Sequence, residues 1–366
     1  MYLRFIRITM IGLMLAFLSI QVALASTPPY GLGNGPYGLG SGQGLTVKPY
    51  AGFGDVRIPG ISYGTKWNPA LLSEVNLGSS SRRFSSNTYG LGFQLALGSG
   101  GLNPYRLFQM NPYQVMRELN YTLGFNWQHT RGNGHASDSV PVGGTNVANT
   151  YIADYAGSTG VFLGAWGMDG SLKTKYELDE FDLSVGTELS FDSGASIRPR
   201  IGFVYDLSDT KHSAELMSPS FTHDQFASYT NSSIDEHRYG LGVGLDVVSP
   251  SYNGWSFYGG VGANLVRSRA DLDVVQHNWC SLCGGAQTEF RVKVDDSDSR
   301  WTHDTNAKLG LRYNIDWLEF DLGASYKHRA DVAGADSRDN PTELSPNIDR
   351  GSSSSMMFQF GVRVSF

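Results

Sequence analysis

Cysteine is nearly absent from this 366-residue chain: there are two, Cys280 and Cys283. That count excludes a disulfide-dense scaffold and a four-cysteine zinc domain. Long apolar runs are scarce too. Past residue 25 no stretch holds the roughly 20 apolar residues that a spanning helix needs, which excludes a helical membrane protein. Charge is sparse, 17% of residues, and its balance is acidic, with a formal net charge of −6. A chain without a basic surplus is a poor nucleic-acid binder, so no nucleic-acid partner is expected. No pair of histidines shows a metal-ligand spacing, and no metal or cofactor is expected.

The one long apolar run lies at the amino terminus. Arg4 and Arg7 precede Ile8–Ile20, and Ala23-Leu24-Ala25 precede Ser26. A positive start, an apolar stretch of about 13 residues and a small-x-small site predict a secretory signal peptide over 1–25, cut between Ala25 and Ser26. Residues 26–43 repeat P-Y-G-L-G at Pro29–Gly33 and Pro36–Gly40. Proline and glycine at that density predict a flexible tail. The remainder, 44–366, reads as one domain.

Glycine (45), tyrosine (19) and phenylalanine (19) are abundant, and they fall in a period of two. That period is the mark of a strand with one apolar face. Tyr89, Leu91, Phe93, Leu95 and Leu97, for example, alternate with Gly90, Gly92, Gln94 and Ala96. Ten strands are predicted, near 45–55, 84–97, 118–130, 174–191, 195–211, 236–249, 255–269, 300–315, 318–329 and 356–366. Tyr176 and Leu178 are out of phase with Phe181, Leu183 and Val185, which predicts a bulge near Asp179–Glu180. Connections alternate in length. Asp192-Ser193-Gly194, Ser249–Gly254 and Asn314–Trp317 are tight turns, whereas 56–83, 131–173, 212–235, 270–299 and 330–353 are long. Residues 98–117 break the alternation with an eight-residue repeat from Asn103 and Asn111, each an Asn-Pro helix start. A twelve-strand count stays open, with that segment or Val161–Trp166 supplying the extra strands.

The last strand carries a resemblance. Met356, Phe358, Phe360, Val362, Val364 and Phe366 alternate with Met357, Gln359, Gly361, Arg363 and Ser365, and the chain stops on the aromatic. This resembles the terminal strand of bacterial outer-membrane β-barrel proteins. In them a polar residue, a glycine, a hydrophobic and a final aromatic form the signal read by the barrel assembly machinery, places held here by Gln359, Gly361, Val364 and Phe366. The resemblance implies an all-β fold: a transmembrane antiparallel up-and-down β-barrel of about ten strands in a Gram-negative outer membrane, with short periplasmic turns and long extracellular loops. An even count lets the first and last strands pair and leaves no open edge. Aromatics at strand ends suit interfacial girdles: Phe191, Trp255, Trp317 and Phe366 on the periplasmic side, Trp127, Tyr176, Tyr239, Trp301 and Tyr326 toward the outside. The implied partners are outer-membrane lipids and the assembly machinery.

Inward positions near the periplasmic end are charged. Lys48, Arg198, Arg200, Lys308, Arg312 and Arg363 face Glu188, Asp246, Glu319 and Asp321. Buried charges must pair, so these residues either close the lumen or form a constriction that selects small solutes. Cys280 and Cys283 sit in a predicted exterior loop, where a local disulfide is favoured. Arg267, Arg269, Lys211 and His328 point outward near the outer rim and suit the phosphates of lipopolysaccharide. His135-Ala136-Ser137 has the letters of a lipid-hydrolase motif but falls in a predicted loop, and Asp271-Leu272-Asp273 offers paired carboxylates for a barrel-mouth protease. No enzyme is expected. The expected role is a small porin-like pore for small solutes, with a surface adhesin or structural barrel acting through its loops as the alternative.

Overall fold

The computed structural model describes residues 44–59, 64–68, 73–77, 81–97, 121–140, 147–150, 162–163, 168–218, 226–280, 286–295, 299–315, 317–336 and 347–365. Ten long strands form one antiparallel ring: β1 Gly44–Pro59, β2 Ser81–Leu97, β3 Tyr121–Val140, β4 Met168–Thr187, β5 Ser196–Ser218, β6 Phe226–Val248, β7 Trp255–Cys280, β8 Arg300–Ile315, β9 Leu318–Asp336 and β10 Asn347–Ser365. Each strand pairs with its neighbours in sequence. β1 closes on β10, with Val47 opposite Val364 and Phe53 opposite Phe358. Leu189–Ser190 continues β4 against the start of β5. The closed ring leaves no edge at the level where solvent is absent.

Two tight turns at one end are set by residues that tolerate positive φ. Asn253 (φ 49°) and Gly254 (φ 83°) form a two-residue hairpin loop between Tyr252 and Trp255. Positive φ at both central residues is the type I′ requirement, and Asn-Gly is its preferred sequence. Gly194 (φ 85°) closes the Asp192–Gly194 turn, its amide donating to the Phe191 carbonyl at 2.9 Å.

The outward faces carry a continuous apolar band. Leu183, Val185, Ile201, Phe203, Leu241, Val243, Phe257, Val261, Leu309, Leu322, Phe358 and Phe360 are all exposed, Leu241 to 63%. A patch on this scale, running round a whole molecule, has no place in water. Tyr89, Tyr239, Trp301 and Tyr326 border it toward the loop end, and Trp255 and Trp317 toward the short turns. Between Ile197 and Tyr205, β5 crosses the band in about nine residues, the length a tilted strand needs to cross a bilayer core.

Several strands run far past this band. β5 and β6 have 23 residues and β7 has 26. The stretches 131–140, 168–173, 212–218, 226–235, 270–280, 330–336 and 347–353, expected as loops, are strand. The alternation of apolar and polar residues ends where the outward face leaves lipid, not where pairing ends. His135 and Ser137 therefore lie on β3, and both are exposed.

The bulge expected near Asp179–Glu180 does not form. β4 stays in register with β3 and β5 throughout. Tyr176 and Leu178 keep the parity of Glu180 and point into the barrel, so Tyr176 is not part of an aromatic girdle. They pack with Val56, Ile58, Phe84 and Met357 in a buried apolar layer. The register shift falls instead in β9, between Arg329 and Val332, where Asp331 has φ 50°.

The loops after β1 and β3 share a small antiparallel sheet. Gly64–Asn68 is flanked by Ser73–Leu77 and Val147–Thr150, and Phe162–Leu163 adds to the latter. Phe162–Leu163 thus belongs to this side sheet, and the barrel keeps ten strands. Ala286–Asp295 pairs with the outer part of β7. The Asn103 and Asn111 repeat lies outside the described residues, as do the signal peptide, the Ala25–Ser26 cut and the tail.

Candidate functional site

The lumen holds two tiers of charge. The tier nearer the short turns contains all ten residues expected there, and they pair with one another. Lys48 Nζ donates to Asp321 at 2.8 Å. Arg312 lies 3.4 Å from both Glu319 and Asp321, and its guanidinium stacks 4.4 Å from the Tyr258 ring. Arg363 meets Glu319 at 3.1 Å, Arg198 meets Glu188 at 2.9 Å, and Lys308 meets Asp246 at 2.9 Å. Arg200 takes Asp182 at 3.0 Å as its nearer partner and Asp246 at 3.9 Å. Glycine makes room for these side chains. A Cβ on Gly244 would stand 2.7 Å from Arg200 Nε, and one on Gly260 would strike Asp246.

The second tier is not among the sequence expectations. Arg329 on β9 donates to Glu180 on β4 at 2.9 Å and to Asp206 on β5 at 2.7 Å, and Lys327 bonds Glu180 as well. In a ring of ten, β4 and β9 are five places apart, so these bonds span the lumen from wall to wall. Arg238 is 1% exposed. It meets Asp304 at 2.5 Å and Glu236 at 3.3 Å, and it donates to the Ala330 carbonyl at 3.0 Å. Arg350 reaches Glu236 (3.1 Å), Ser268 Oγ (2.7 Å) and the Asp331 carbonyl (3.1 Å). The carbonyls that the β9 bulge removes from the ladder are thus taken up by two arginines. In the sequence, inward parity alone marks Lys327 and Arg329. Asp206, Glu236, Arg238 and Asp304 fall within expected strands but above the expected tier, Arg350 lies on a strand extension that reads as loop, and the bulge expected in β4 obscures the side on which Glu180 belongs.

Between the tiers is a cavity of about 380 Å³. Its wall includes Tyr50, Gln94, Asn126, Gln128, Asn264, Asn306 and Gln359, and Glu180, Asp206 and Lys327 line its loop-end side. Phe84 and Tyr176 belong to a buried apolar layer on the inner faces of β1, β2, β4 and β10.

Gln359, Gly361 and Val364 lie on β10, Gly361 opposite Tyr50 and Val364 opposite Leu318. Phe366 lies outside the described residues. Cys280 ends β7, while Cys283 is outside them, so the expected disulfide is not addressed. The described histidines do not gather. His212 points inward and bonds Thr174 at 3.0 Å, while His129 bonds Asp179 at 2.8 Å on the outer face. Asp271 and Asp273 also face outward, so they do not point into the barrel lumen. The neighbouring β6 carries an Asp-x-His, Asp235 and His237. It too faces outward, with Asp235 opposite Asp271.

No family model matches the chain, and no curated protein matches it. Among solved structures it is similar to the outer membrane protease OmpT of Escherichia coli, with 9% identity over 90% of this chain and 99% of that one, TM-score 0.44. It is also similar to the transport unit of the autotransporter AIDA-I of E. coli, with 8% identity over 92% and 94%, TM-score 0.29. A third is a major outer membrane protein of Thermus thermophilus, with 10% identity over 88% and 99%, TM-score 0.31. These likenesses concern the fold alone. A closed antiparallel ring, a lipid-height apolar band, aromatic borders and short turns opposite long connections define a bacterial outer-membrane β-barrel protein. The closed barrel and its apolar band place the chain in the Gram-negative outer membrane.

Proposed function

We propose that the barrel is closed at rest and serves as a membrane scaffold for its extracellular part. One observation carries this reading: Arg329 and Lys327 bridge the bore to Glu180 and Asp206 on the facing wall. A pore of resting conductance needs an aqueous path there, and ten strands leave little width to spare. The extracellular part is built to present a surface. β5, β6 and β7 continue beyond the lipid band, and two loops join in a common sheet. The reading assigns no catalytic step.

A small-solute pore is the second reading, favoured by the polar periplasmic cavity of about 380 Å³. It requires the Glu180–Arg329 bridge to part. Single-channel recording in planar bilayers separates the two. The scaffold reading expects a silent wild-type protein, and a Glu180→Ala, Arg329→Ala variant that shows at least brief openings. Steady discrete conductance from wild-type protein would overturn it in favour of the pore.

A further inference from the structure

Two arginines stand on the lipid-facing side of β7 at the level where the apolar band ends. Arg267 is exposed and sits directly between two aromatics of the outer border, Tyr239 on β6 and Trp301 on β8. Its Nε donates to Ser299 Oγ at 2.5 Å. Arg269, one step further out on the same face, is opposite His237 and 4.0 Å from Asp271. His303, opposite Leu265, is exposed on β8 just below Trp301. Immediately toward the membrane lie Leu241 and Leu265, both well exposed.

A cation on the lipid face of a barrel is costly near the bilayer midplane and cheap only at the interface. The height of this cluster is therefore fixed from below by Leu241 and Leu265 and laterally by the aromatic pair, which places it in the headgroup layer. Guanidinium forks match phosphate geometry with two parallel N–H donors. We propose that the outer faces of β6, β7 and β8 form a binding site for the phosphates of an outer-leaflet glycolipid, the phosphorylated lipid A anchor of lipopolysaccharide. Arg267 and Arg269 make the charged contacts, and Tyr239 and Trp301 pack against the sugar and upper acyl region. Lys211 does not belong to the site, because Asp209 holds its ammonium at 2.5 Å, further out on β5. The site is independent of whether the lumen is open.

Binding is read by titrating the purified full-length protein in detergent with fluorescent lipid A, with the same lipid after removal of its phosphates, and with inorganic phosphate as competitor. The phosphorylated lipid binds at least about tenfold more tightly than the dephosphorylated one, and inorganic phosphate does not displace it. Arg267→Gln with Arg269→Gln weakens binding about tenfold and makes it insensitive to salt, whereas Lys211→Gln leaves it unchanged. Heat-modifiable electrophoretic mobility reports whether each variant is folded. Should the double variant fail to fold, Arg267→Lys and Arg269→Lys singly lower affinity by about threefold each, because the charge stays and the fork is lost. Equal affinity for the two lipids, wild-type binding by the variants, or displacement by inorganic phosphate would each overturn the proposal.

Discussion

Arg329 Nη2 and Glu180 Oε1 meet at 2.9 Å, although β9 and β4 lie on opposite walls of the barrel. The pair is not isolated: Asp206 takes a second bond from the same nitrogen at 2.7 Å. Removing one member strands the rest in a site with little water. Replacing Glu180 and Asp206 by Gln and Asn leaves Lys327 and Arg329 unneutralised. The expected cost is roughly 3–5 kcal/mol, measured by urea unfolding of the protein reconstituted in vesicles. A loss below about 1 kcal/mol, the size of an exposed pair, would mean that the network is hydrated and the bore open.

The apolar layer above this network depends on Phe84. Its ring packs 6.0 Å from that of Tyr176, and a Cβ added at Gly132 would collide with it. Phe84→Ala is expected to cost roughly 3–5 kcal/mol through the cavity it leaves. Gly132→Ala is expected to cost roughly 1–3 kcal/mol from the opposite direction, by overpacking. The two together should cost less than their sum, since each relieves the other. Strict additivity in a double-mutant cycle would show that the ring does not lie over Gly132.

The band, the ring and the first charge tier are legible in the sequence, and the reason is physical. Where the outside is lipid, alternation is enforced residue by residue, as in Leu241, Val243 and Leu245. Past Tyr239 the outside is water, so His237 and Asp235 give no contrast with Glu236 and Arg238 on the inside. There the parity is unreadable, and the strands read shorter than they are. Tyr176 and Leu178 mislead in the complementary way. Both faces of that stretch carry large side chains, and continuing the inward parity through Glu180 requires knowing that the interior there is apolar. The β9 bulge leaves no trace that composition could show: the groups that take its carbonyls, Arg238 on β6, Thr302 on β8 and Arg350 on β10, are distant in sequence.

Of these groups, Arg238 is the next residue to test. Its guanidinium holds Glu236, Asp304 and the Ala330 carbonyl, with Asp331 O at 3.5 Å. Lysine keeps the charge but cannot form this fork. Arg238→Lys should therefore loosen β9 selectively, with amide exchange accelerating at Val332 and Ala333 while β4 and β5 keep their protection. Uniform acceleration through the barrel would place Arg238 in the global core and not at the bulge.

The lipid band itself can be tested at Val243, which is 58% exposed at mid-height on β6. In a water-facing sheet, replacing an exposed valine by arginine is worth about half a kcal/mol or less. On a lipid face near the midplane the same change costs roughly 2–4 kcal/mol, falling toward zero at the interfaces. Val243→Arg is therefore expected to lower unfolding free energy in vesicles by that amount, while Asn87→Arg, beyond the Tyr89 border on β2, should be nearly neutral. The depth dependence is the informative part. Equal effects at the two positions would mean that the apolar band does not contact lipid, and the membrane placement of the barrel would have to be abandoned.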